Sequence, residues 1–209
     1  MKMHMWMAAC AAGLMGAGLA QADTAQLDRK WATQAVGGYL AQRGDLCLGK
    51  FDWPRDVPAA EQDNGSSDAI QLPVLERLGL VKSEELPAEP AAPTRRYSLT
   101  AKGREFYVHR KMTTVGAHDE PVDHDGDLCV GRLSLDKVVK WNPPDEVHGH
   151  THTVVTFTYH IRPAQWTSDP QVRRVFPRVD LAIRGDGKLQ QEADFQLQDG
   201  KWVSVLPGQ

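Results

Sequence analysis

Asp127–Trp141 reads DLCVGRLSLDKVVKW, and its opening residues occur a second time, as DLCLGKF at Asp45–Phe51. Asp, Leu, Cys and Gly recur at the same offsets, followed by Lys50 or Arg132 and then by Phe51 or Leu133. Both copies alternate at period two. In the longer copy Cys129, Gly131, Leu133, Leu135, Val139 and Trp141 share one face, and Arg132, Ser134, Asp136 and Lys140 share the other. The pattern predicts a half-buried β-strand in each copy, two strands with one structural job in two halves of the protein.

Downstream of the longer copy the chain reads as further strands. Thr151–Ile161 puts Thr153, Val155, Phe157, Tyr159 and Ile161 on one face. Asp169-Pro170 opens a short helix that Pro177 stops, and Arg178–Arg184 then alternates with Val179, Leu181 and Ile183 inward. Gly185-Asp186-Gly187 and Asp199-Gly200 are turns on either side of Leu189–Leu197, and Lys201–Leu206 ends the run. This predicts an antiparallel meander with one polar face, the other being covered by the short helix or by the N-terminal half. Upstream, Thr24–Leu40 reads as a helix capped by Thr24, with Leu27, Trp31, Ala35 and Tyr39 at i+4 spacing. Leu46–Trp53 is a short strand, Ala59–Ser67 a polar loop, and Asp68–Leu80 a helix ended by Gly79. Thr113–Gly126 is polar throughout and reads as a linker loop. The expected class is α+β. The expected domains are 23–112 and 127–209, joined by 113–126.

LERLGLVKSEE followed by RRYSLTAKGREFY, within Leu75–Tyr107, resembles the second half of a winged-helix domain. The resemblance implies the end of a third helix, a strand, a wing, a returning strand and an L-T-x-K-G turn. DNA binding, the usual function of that family, fits these charges poorly. The wing carries Glu84, Glu85 and Glu89, with only Arg95 and Arg96 at its base, and phosphate contacts supply most non-specific affinity. A net charge of -3 over 209 residues points the same way, so neither nucleic acid nor an anionic membrane is expected as partner.

Residues 1–22 have the layout of an export signal. Lys2 is the positive start, Met5–Leu19 is small and apolar, and Ala20-Gln21-Ala22 is an A-x-A cleavage site before Asp23. Cleavage between Ala22 and Asp23 removes Cys10 and leaves a periplasmic or secreted chain with no second apolar stretch near the ~20 residues that span a bilayer. Cys47 and Cys129 are then the only thiols, at matching places in the two repeats and in an oxidising compartment. They are expected to form a disulfide that ties the halves together.

Histidine is the one concentrated chemical signal. His148, His150 and His152 alternate, so an extended chain projects them from one side, a set suited to Zn²⁺ or Cu²⁺. The plainer reading is a hydrophilic turn. Asp123–Asp127 lacks the glycine and glutamate positions of a calcium loop. There is no nucleophile elbow, zinc-protease helix motif or phosphate loop. The expectation is a non-catalytic exported protein, without cofactor, that binds another protein or an envelope component; a periplasmic Zn/Cu binder built on the histidines is the alternative.

Overall fold

The computed structural model describes residues 27–87, 93–116 and 118–205. Asp28 caps the first helix, α1 (Arg29–Arg43), by accepting from the Trp31 amide, and Ala32, Val36 and Leu40 form its buried stripe. Next come β1 (Asp45–Cys47), β2 (Arg55–Pro58), α2 (Ala59–Asn64) and α3 (Ser67–Arg77). They are followed by β3 (Val81–Leu86), β4 (Thr94–Leu99), α4 (Ala101–Arg104), β5 (Tyr107–Val115) and β6 (Pro121–Trp141). The chain closes with β7 (Asp145–Val147), β8 (His150–Pro163), α5 (Pro170–Val175), α6 (Pro177–Arg184), β9 (Gln190–Gln198) and β10 (Lys201–Ser204).

The fold is α+β, with a helix followed by two antiparallel sheets. The larger runs β1-β6-β8-β9-β10, with β5 also on β6 and β7 on β8; the smaller runs β2-β4-β3. One core lies between α1 and the larger sheet, where Ala32, Val36 and Leu40 meet Val138, Val155, Phe157, Tyr159 and Phe195. Trp31 packs edge-on against Phe195 and Trp202, each 5.7 Å away, and such pairs add to area burial. The second core joins Leu72, Leu75, Leu80 and Tyr97 to Leu128, Val130, Trp166, Val172 and Phe176. Sheet-half residues therefore complete the N-terminal core.

The stretch from α3 through α4 follows the order that the winged-helix resemblance implies, and β2 adds a third strand beside β4. The L-T-x-K-G turn has a local cause. Thr100 caps α4 by accepting from the Gly103 amide, and a Cβ at Gly103 would sit 1.9 Å from the Leu80 carbonyl oxygen. Only glycine fits there.

Several expectations are corrected. Thr113–Gly126 is no linker loop: β5 and β6 pair from Tyr107↔Leu128 out to Val115↔Pro121, a two-stranded ribbon with polar residues on both faces. Across the expected 23–112 and 127–209 division, α1 and β1 pack on the larger sheet while α5 and α6 pack on the other core. Ala59–Asn64 is helical, and the Thr24 cap lies outside the described residues. Arg178–Arg184 is a helix and not a strand: Pro177 starts it, Val179 is buried, and Leu181 points out at 53% exposure. In β6 the alternation breaks where register shifts fall at Leu135/Lys137 and Val138/Lys140. Val138 is therefore buried, and Val139, expected inside, faces out.

Candidate functional site: the cystine junction and its cleft

The two repeats meet each other. β1 runs antiparallel to β6 with Asp45↔Arg132, Leu46↔Gly131 and Cys47↔Cys129 as partners. The cysteine sulfurs are 1.99 Å apart, bridging residues separated by 82 positions. Around this centre the pairing is nearly reciprocal. Each Asp that opens a copy reaches the Gly-Lys or Gly-Arg end of the other. Arg132 Nη1 lies 3.2 Å from Asp45 Oδ1. Across the centre, Asp127 accepts the Gly49 amide at 3.0 Å and the Lys50 amide at 2.7 Å. Burial pushes the Asp127 carboxyl above the usual carboxylate range, against the backbone donors of Lys50, Gly49 and Leu128 that favour its charge.

The short segment after β1 turns at Gly49, φ +70°, and sends Lys50 into the protein. Lys50 is 4% exposed, and its Nζ donates to Asp68 Oδ1 at 2.5 Å. Asp68 also takes a two-pronged contact from Arg55, at 2.8 and 2.6 Å. For Asp68 burial opposes the charge, but the hydrogen bonds from Lys50 and Arg55 prevail and hold its carboxyl below the usual range.

A cleft of about 480 Å³ opens on one side of the cystine. Three separate pieces of chain wall it: Cys47–Lys50, Ser67 with Gln71 one turn along α3, and Phe176–Val179 at the α5–α6 junction. Its volume is in the range of small-ligand sites. Among the described residues, Lys50 and Arg178 are the charged ones lining it, and no carboxylate does. Gln71 Nε2 donates to the Val175 carbonyl at 2.9 Å, which fixes the amide and leaves its oxygen free to accept. Arg178 is exposed and has no partner among the described residues. On the other side of the bridge is a smaller cavity of about 150 Å³, where Arg43, Arg110, Asp45 and Asp127 gather. Cys47 borders both.

The expected histidine set does not assemble as one face. His148, φ +51°, and Gly149, φ +80°, form the two-residue turn between β7 and β8, so only His150 and His152 share a strand side. His152 Nδ1 is 3.1 Å from Asp194 Oδ1. Among the described residues, no group of three or more His, Cys, Asp or Glu is placed to hold a metal ion. Replacing His148, His150 and His152 together by alanine is expected to cost roughly 1–2 kcal/mol in urea unfolding, since His148 and His150 are exposed and half-buried His152 gives up its pair with Asp194. Zn²⁺ titrations of the two proteins should superimpose; stoichiometric zinc on the unsubstituted protein alone would restore the metal reading. The Ala22–Asp23 cleavage position lies outside the described residues.

Folding also assembles two clusters without local sequence signatures. His124 Nδ1 lies 2.9 Å from Asp52 Oδ2 and its Nε2 2.9 Å from Thr114 Oγ1. Hydroxyl, imidazole and carboxylate in this order can activate a nucleophile. Here Thr114 and His124 are diagonal neighbours on the ribbon, Phe51 stacks on the ring at 4.2 Å, and neither cavity is lined by Thr114. The contact fastens Phe51 and Asp52 to the ribbon. Elsewhere His160 bridges Asp136, 3.2 Å from Nε2, and Asp186, 3.0 Å from Nδ1, joining β6 and β8 to the turn after α6. The hydrogen bond from His160 holds the Asp186 carboxyl below the usual range.

These features define an α+β protein with a cystine-centred junction and a mixed polar and apolar cleft beside it. Set against known protein families, characterised proteins and solved structures, the chain finds no match.

Proposed function

We propose that this is an exported, non-catalytic protein that binds another protein or a cell-envelope component through the cleft beside Cys47–Cys129. The cleft carries the reading: it is walled by three distant segments, one of them fixed by the cystine and another by the Gln71–Val175 bond. Pre-formed walls lower the ordering cost of binding. The ion pairs at the wing base support a partner other than nucleic acid. Arg96 is engaged by Asp56 at 2.7 Å and Arg95 by Glu85 at 3.2 Å, which leaves little free positive charge there. Export is supported by the bridge, which persists in oxidising compartments, and by the signal-like N-terminus. Among the described residues no helix is long and apolar enough to cross a membrane.

Two measurements test this. The protein recovered from its own cell is expected to begin at Asp23 or within a residue or two of it; an intact Met1 in the cytosol overturns export. Ser67 is exposed at the cleft, so Ser67→Trp should fill the opening while leaving the fold within ~0.5 kcal/mol. Capture of partners from envelope extract, quantified by mass spectrometry, should be lost in that variant. Equal capture by both proteins, or none above bare matrix by either, rejects the cleft as the binding site.

A further inference from the structure

We infer that the cleft takes the free C-terminal carboxylate of an extended peptide whose last side chain is apolar. The inference rests on the binding reading above and names the chemistry of its partner.

The charges come first. In a protein of net charge -3, the ten described residues lining the cleft include Lys50 and Arg178 and no acid. Lys50 is already committed to Asp68. Arg178 is exposed on the first turn of α6, and its guanidinium has no partner among the described residues. A guanidinium presents a planar fork that matches a carboxylate with two parallel hydrogen bonds. The rest of the lining is different in kind: Leu48, Phe176, Pro177, Val179 and the Cys47 side of the cystine make an apolar wall around the polar groups of Ser67 and Gln71.

Cation and apolar wall together select among anions. A phosphate or sulfate would use the guanidinium and leave the wall wet. An Asp or Glu within a chain carries its charge on the side chain, with no apolar group on the same residue. A C-terminal residue with an aliphatic side chain presents both on one Cα. Its preceding amide can donate to the Gln71 oxygen, which the Val175 bond leaves as an acceptor. The volume of about 480 Å³ accommodates more than a single residue, in keeping with an extended chain end.

The test uses the mature, oxidised protein and fluorescence anisotropy with an N-terminally labelled tetrapeptide ending in leucine. The free acid is expected to bind, and its C-terminal amide to bind at least tenfold more weakly, since a hydrogen bond to a charged group is lost. A free acid ending in serine should also weaken. Arg178→Gln should bring the acid down to the level of the amide, with an unchanged melting curve showing that the exposed substitution leaves the fold intact. Equal binding of acid and amide, binding by inorganic phosphate that competes as well as the acid, or no binding of any peptide would each overturn the inference. If the peptides fail while Ser67→Trp still abolishes capture from extract, the cleft remains a binding site and this ligand class is wrong. If capture survives Ser67→Trp, the binding reading itself has failed.

Discussion

Cys129→Ser is expected to lower the stability of the protein by about 4–5 kcal/mol, which for a chain of this size moves the melting temperature down by roughly 10–15 °C. The magnitude follows from the 82-residue separation of the bridged positions, since opening so long a loop returns a large conformational entropy to the unfolded chain. The local cost is small by comparison. Cys129 Sγ sits 3.4 Å from the Asp127 carbonyl, so a serine hydroxyl has an acceptor in place. Cys47→Ser should cost about as much, and the double variant no more than either single one, because all three remove the same constraint. A single transition should persist. β6 places Leu128 and Val130 in one core and Val138 in the other, and Leu46 and Ile183 touch both, so the halves cannot melt apart cleanly. Unchanged midpoints under non-reducing conditions would sink the argument.

Asp68→Ala is the second large effect, with an expected loss of 3–5 kcal/mol. The substitution strands the Lys50 ammonium, whose side chain is 5% exposed; Arg55, at 25%, can turn toward water. The cost is therefore that of an unpaired buried charge rather than the worth of the pair. Lys50→Met combined with Asp68→Ala should regain most of the loss, and a double variant as weak as Asp68→Ala alone would refute this. The effect depends on pH. The folded Asp68 carboxyl lies below its ordinary value of 3.8, so the native state holds that proton less tightly than the unfolded chain does. Its contribution is complete above that ordinary value and is lost as pH falls through the folded one. The unsubstituted protein should thus lose stability toward acid more steeply than Asp68→Ala. Asp127 acts in the opposite sense: its carboxyl is raised by burial, and acid relieves the desolvation of its charge. Asp127 is present in both proteins, so their difference isolates Asp68.

What could be read from the chain was whatever has a local cause. Asp169 capping a helix with Pro170 behind it, Gly79 ending α3, and Asp199-Gly200 with both residues at positive φ are each written in two or three residues. The repeated DLC pointed to paired cysteines because its pattern marks two strands and the protein uses both. The ribbon is illegible because β5 has no fully buried residue and the buried positions at the start of β6 are His124, Gly126 and Asp127, so no apolar period marks them. α6 looks like a strand in sequence because Val179, Leu181 and Ile183 satisfy a strand pattern, while the helix packs Val179 and Ile183, four apart, and leaves Leu181 outside. The bulges in β6 belong to its pairing with β8 and have no signal of their own. The cleft was invisible for a simpler reason: residues 47–50, 67–71 and 176–179 become neighbours only after the chain has folded.

The reciprocal pairing of the two repeats also sets an order of events for a chain that emerges from its N-terminus. β1 is three residues long, and its hydrogen-bonding neighbour in the larger sheet is β6. Until Cys129 has emerged, Cys47 lacks its disulfide partner, and Asp127 is not yet there to receive the Gly49 and Lys50 amides. The α3–α4 segment likewise lacks Leu128, Val130, Trp166 and Phe176 from its core at that stage. Productive folding must wait until most of the polypeptide has emerged. A fragment ending before β6 would then be a substrate for proteolysis rather than an independent module.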